Sequence, residues 1–119
     1  MQLTIIHSQT SPVVDEFEEK LAMLNLVHYA SEAINEMEFE SLEELHESVK
    51  RAMEICISAE ISMKGNFLRV YKSYVEGITY DWKLSELAYK LVCISGNPSN
   101  PNVAHAIIQL IKNEHLNHF

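Results

Sequence analysis

Three glycines and three prolines in 119 residues leave little material for tight turns. Such scarcity weighs against a sheet of many short strands and favours long helices. It also excludes a glycine-rich phosphate loop. Cys56 and Cys93 fall in apolar surroundings with no close-spaced motif between them. They read as buried free thiols of a cytosolic protein rather than a disulfide framework. No apolar run approaches the roughly 20 residues that span a bilayer. The opening MQLTIIHSQTSP has neither a basic leader nor an apolar run long enough for a signal peptide. A cytoplasmic protein without membrane contact is expected.

The hydrophobic share, 47%, is that of an ordinary globular chain. Its length suits one domain, 1–119, that buries roughly two-thirds of its unfolded surface. Residues 1–11 are expected as an arm or short strand carrying Leu3, Ile5 and Ile6, and 114–119 as a frayed tail. Between them the apolar spacing predicts an all-α bundle of about five helices. Val13, Phe17, Leu21, Leu24, Val27, Ala30, Ile34 and Met37 predict a first long helix over about 12–37, with Ser11 as N-cap and Pro12 in its first position. Ser41 and Glu44 have capping-box spacing and open a second helix, about 42–64, closed by Gly65. A third is expected over 66–76, on Phe67, Val70, Tyr71, Tyr74 and Val75. Asp81 would cap a fourth, anchored by Trp82. Gly96 and Pro98 stop that helix, and Asn100 with Pro101 starts the fifth. The wide apolar faces of the first two helices could be covered by the rest of the chain or by a second copy in a homodimer.

Charge is unevenly spread. Residues 1–60 carry 13 acidic against 3 basic side chains, net −10, and residues 61–119 carry 4 against 6, net +2. An acidic half repels nucleic acid and attracts basic surfaces. The function this suggests is a non-catalytic regulatory or inhibitory module that binds a basic protein, including one that itself binds nucleic acid. Glu36, Glu40, Glu43, Glu44 and Glu47, around the first interhelical turn, are the candidate contacts. Tyr71, Tyr74, Tyr80, Trp82 and Tyr89 would supply an aromatic centre to such an interface.

Nothing in the sequence frames an active site. Six histidines include His115 and His118 three apart, but no HExxH motif and no set of four ligands accompanies them, so no metal is expected. His28 lies beside the apolar stripe, with Glu32 one turn on as its natural partner. Neither a nucleophile elbow nor a Cys–His signature is present. No enzyme activity and no cofactor are implied.

A second functional reading starts from Leu84-Ser85-Glu86-Leu87-Ala88, followed by a helix from about Asn100. This pair, over 83–113, resembles the helix-turn-helix of DNA-binding regulators. The resemblance implies that the last helix enters the major groove. Asn102, His105, Gln109 and Lys112 would then face the bases, Asn and Gln being suited to adenine edges.

Overall fold

A computed structural model describes residues 12–75 and 77–117. The expected arm 1–11, with its cap Ser11, lies outside them. The chain is mixed α/β. Helix α1 (Pro12–Leu24) leads to a two-residue strand β1 (His28–Tyr29) and a short helix α2 (Glu32–Glu36). Helix α3 (Leu42–Ser58) is followed by a hairpin of β2 (Phe67–Tyr74) and β3 (Gly77–Leu84), then α4 (Glu86–Ile94) and α5 (Pro101–Asn117). The strands form an antiparallel sheet in the order β1-β3-β2.

The all-α bundle is therefore corrected in its middle. The predicted third helix, 66–76, is β2, and the predicted turn at 78–81, with the start of the fourth helix, is β3. Val70, Tyr71, Thr79, Tyr80 and Trp82 are β-branched or aromatic and pack well on a pleated surface. Both faces of the hairpin are partly covered, so its apolar residues do not alternate strictly. Phe67 and Leu84 pair and are buried on one face. Val70 and Asp81 pair on the other, where Asp81 is buried too.

The predicted first helix is interrupted as well. After Leu24 the chain is drawn into the sheet: Val27 N donates to Leu84 O at 3.0 Å and Ala30 N to Trp82 O at 2.8 Å. Asp81 does cap a helix, though not its own sequence neighbour. Its carboxylate accepts from Ser31 N at 3.1 Å and Ser31 Oγ at 2.6 Å, at the start of α2. Ser85 caps α4 instead, its Oγ accepting from Ala88 N at 3.0 Å.

Helix α3 opens on Ser41, whose Oγ accepts from Glu44 N at 3.1 Å. It ends at Ser58, before the expected 64. Glu60 N bonds Ile57 O and Ile61 N bonds Cys56 O, the two bonds of a Schellman cap, with Glu60 at φ +59. Gly65, expected to end this helix, lies in the turn before β2 at φ +81. Gly96 is needed for space rather than for a left-handed backbone: a Cβ there would lie 2.8 Å from Phe39 Cε1 and 2.9 Å from Val103 Cγ2.

The core joins Leu45, Val49, Ala52 and Cys56 of α3 to Ala88, Val92 and Cys93 of α4, with Val103 of α5 and the sheet's Phe67 and Leu84. Both cysteines are free and buried. Among the described residues no helix is long and apolar enough to cross a membrane.

Candidate functional site

The sheet face that carries Phe67 and Leu84 turns toward α3, and beyond its buried end it remains partly open. Register places Arg69 opposite Trp82 and Tyr71 opposite Tyr80 on this face. The Arg69 guanidinium lies over both β3 rings, 4.7 Å from the Tyr80 centroid and 4.9 Å from that of Trp82. Tyr71 meets Tyr80 edge-on at 6.4 Å, and Trp82 does so at 6.2 Å. From α3, His46 stacks on Tyr80 with centroids 4.8 Å apart and planes 7° from parallel. Among the described residues its Nε2 is buried without a hydrogen-bond partner. Glu43, His46 and Glu47 lie within four positions on α3 and so share one side of it. With Lys50, Met53, Arg69, Tyr80 and Trp82 they line a cleft of about 350 Å³.

The acidic residues singled out in the sequence divide between two places. Glu40, Glu43, Glu44 and Glu47 cluster around the first two turns of α3. Glu43, Glu44 and Glu47 line a shallow cleft there with Ser41 and Arg51. Glu40 and Glu44 line an adjoining cleft with Glu38 and Asn102. Two of these carboxylates have local roles: Glu44 accepts from Glu40 N at 3.4 Å, and Glu47 lies 4.0 Å from Arg51. Carboxylates are also favoured here by the positive end of the helix.

Glu36 lies apart, in a separate cleft of about 350 Å³ lined also by His28, Glu86, Tyr89, Cys93 and Gln109. There His28 is held between two carboxylates, Nδ1 at 3.1 Å from Glu32 and Nε2 at 2.6 Å from Glu86, and is stacked on Tyr89 at 4.3 Å. Glu32 was expected from its spacing of four; Glu86, 58 positions away, was not. The hydrogen bonds to Glu32 and then Glu86 raise the pKa of His28 above its usual 6.5. A backbone bond from Tyr29, then the one with His28, lowers that of Glu32. Burial pushes the Tyr89 hydroxyl up, and the Cys93 thiol to about 11. Cys93 therefore stays a thiol near neutral pH, whereas a nucleophilic cysteine works as thiolate.

The four residues suggested for DNA contact are also divided. Asn102 is turned inward: its side-chain amide donates to Met37 O at 3.3 Å and to Glu38 Oε2 at 2.8 Å. His105, Gln109 and Lys112 are exposed on α5, and Gln109 also lines the His28 cleft. Asn100 caps α5 as expected, its Oδ1 accepting from Asn102 N at 2.9 Å. Among the described residues no group of three or more His, Cys, Asp or Glu is placed to hold a metal ion.

Arg69 and His46 are groove residues that the sequence reading left out of the candidate contact site. His46 was detectable, lying between Glu43 and Glu47 on α3. Arg69 needed the strand register. Comparison of the chain with protein-family models, curated proteins and solved structures finds no match.

Proposed function

We propose that this chain is a non-catalytic module that binds a basic protein, and thereby regulates or inhibits it, at the groove between α3 and the hairpin. The observation that carries this reading is that Glu43 and Glu47 line the same cleft as Tyr80 and Trp82. Aromatic rings in a half-buried cleft supply the apolar contact area on which affinity concentrates. Carboxylates at the rim add steering: they raise the rate of encounter with a cationic surface and select against acidic ones. Glu40 and Glu44 extend the negative shelf past the cleft, toward Glu38. Arg69, its guanidinium 4.7 Å from the Tyr80 centroid and 4.9 Å from that of Trp82, marks the position where a cationic side chain of the partner would compete.

The alternative is a DNA-binding regulator that uses α4 and α5 over 83–113. His105, Gln109 and Lys112, exposed on α5, favour it. Asn102, already bonded to Met37 and Glu38, does not. A phosphate approaching the start of α5 would also meet the Glu38 carboxylate.

The two readings part in a capture experiment from source-cell lysate at low and high salt, with nuclease in one arm. A basic protein retained despite nuclease and released by salt is expected. That retention should fall at least about tenfold in Glu43→Lys/Glu47→Lys, one tenfold step being about 1.4 kcal/mol. Nucleic acid alone, lost on nuclease treatment, would reverse the order of the readings.

A further inference from the structure

We infer that the groove between α3 and the hairpin takes an arginine of the partner, and that Arg69 holds the place of that arginine in the free chain. This rests on the reading of a basic partner at the same groove and adds which side chain the groove selects. Tyr80 and Trp82 stand at 86° to one another and form an aromatic corner. The corner already holds a guanidinium, since that of Arg69 lies over both rings. Among the described residues this guanidinium has no ion pair and no side-chain hydrogen bond. The rings are what hold it.

A complete arginine site has two parts: a ring face for the plane of the guanidinium and a carboxylate for its N–H edge. The groove contains both, and Arg69 uses only the first. Glu43 is exposed and unpaired among the described residues, and Glu47 has only Arg51, at 4.0 Å. Arg69 is rooted in β2, whereas a side chain entering from solvent meets these exposed glutamates of α3. His46 lines the same cleft, and its buried Nε2 has no partner among the described residues. With the ring proton on Nδ1, that nitrogen accepts an N–H. The lining charges balance, Glu43 and Glu47 against Lys50 and Arg69. Net charge in the cleft therefore does not choose the occupant; the unused combination of ring face and carboxylate does. Lysine fits this combination poorly, because its ammonium is a compact, strongly hydrated point charge without a plane to stack. An exposed contact between a cation and a ring is weak, so Arg69 yields its place with little loss.

The test uses the full chain and two labelled synthetic heptapeptides, identical except that alternate positions carry Arg in one and Lys in the other. Fluorescence anisotropy follows binding at fixed ionic strength. The emission of Trp82, the chain's only tryptophan, reports whether the corner is engaged. The Arg peptide should bind at least about fivefold more tightly than the Lys peptide and change the Trp82 emission. Arg69→Gln clears the corner of its cation and should tighten Arg-peptide binding about two- to fivefold, the range that an exposed cation–π contact corresponds to. Lys50→Gln removes the same charge from the cleft without clearing the corner, and should tighten binding less. Both variants should keep the circular dichroism spectrum of the parent chain. Weaker binding in Arg69→Gln would overturn the inference by making Arg69 a contact rather than a placeholder. Equal gains in Arg69→Gln and Lys50→Gln would overturn it by reducing the effect to charge. Equal binding of the two peptides, lost in Glu43→Lys/Glu47→Lys, would overturn it and leave the groove as a site for basic partners. Binding that survives Glu43→Lys/Glu47→Lys with the Trp82 emission unchanged would remove the groove reading as well. Binding of neither peptide would overturn the inference, while capture from lysate would still decide the groove reading.

Discussion

Glu38 and Glu60 hold φ values of +56 and +59, a region that costs a residue with a Cβ roughly 1–2 kcal/mol and glycine almost nothing. Glu38 has a tertiary use for its side chain, accepting from Asn102. Glu60 is exposed at the Schellman cap of α3. Glu60→Gly should therefore stabilise the fold by about 0.5–1 kcal/mol, once the extra flexibility of glycine in the unfolded chain is subtracted. Urea denaturation would read this directly, and the gain at Glu38→Gly should be smaller. Other side chains set a pH window. Burial pushes the Asp81 carboxyl up, but hydrogen bonds from Ser31, Trp82 N and Lys72 outweigh it and hold its pKa below the usual 3.8. Its contribution is full above 3.8 and is lost as the pH falls through the lower folded value. The raised pKa of His28 acts in the opposite sense: its contribution is full below 6.5 and is lost as the pH rises through the higher folded value. Glu32, lowered from its usual 4.5, acts in the same sense as Asp81, so the denaturation midpoint should be highest between about pH 4.5 and 6.5. His28→Gln should flatten the upper limb of that profile and Asp81→Asn the lower limb.

Between strand β3 and helix α4 the chain changes period at one residue, Ser85. Its Oγ accepts from Ala88 N and donates to Asn66 Oδ1 at 2.7 Å, which ties the helix start to the entry of the hairpin. Ser85→Ala should cost about 1–2 kcal/mol in urea denaturation, more than a cap on an isolated helix, because Asn66 loses its partner as well. Elements whose signals are local were legible in the sequence. Ser41 with Glu44, and Asn100 with Pro101, carry the starts of α3 and α5 within four residues. The hairpin was misread because Phe67, Val70, Tyr71 and Tyr74 also fit helical spacing, and propensity yields to tertiary pairing in short apolar runs. Its β-branched and aromatic enrichment, with Gly77 as a turn residue, was the available counter-signal. The break in the first predicted helix had no such signal, since no glycine or proline lies between Pro12 and Tyr29. It follows from bonds to Leu84 and Trp82, more than 50 positions away. Part of the candidate site was legible for the same reason. The four glutamates at the start of α3 follow from helical spacing, but their proximity to Arg69, Tyr80 and Trp82 follows from a sheet that periodicity did not reveal.

Across the whole molecule, apolar residues divide into a core that holds the fold and a stripe that the fold does not use. Leu45 and Leu21 are the same residue type in the two settings, one 1% and the other 50% exposed. Leu45→Ala should cost about 2–5 kcal/mol, and Leu21→Ala should stay within about 0.5 kcal/mol. Paired thermal or urea denaturation would separate them. Conservation of stability in one variant and its loss in the other would mark α1 as surface in the energetic sense too.

The pairing of β1 also bears on the order in which the molecule assembles. β2 and β3 meet across a two-residue connection, whereas His28 finds Leu84 only by closing a loop of 56 positions. Closing a loop of that size loses more chain entropy than closing the hairpin, and the loss comes before any contact repays it. β1 should therefore anneal to a hairpin that already exists. In pulse-labelling hydrogen exchange during refolding, the amides of Val27 and Ala30 should gain protection later than those that pair β2 with β3. The β1 edge would then be the last part of the sheet to form.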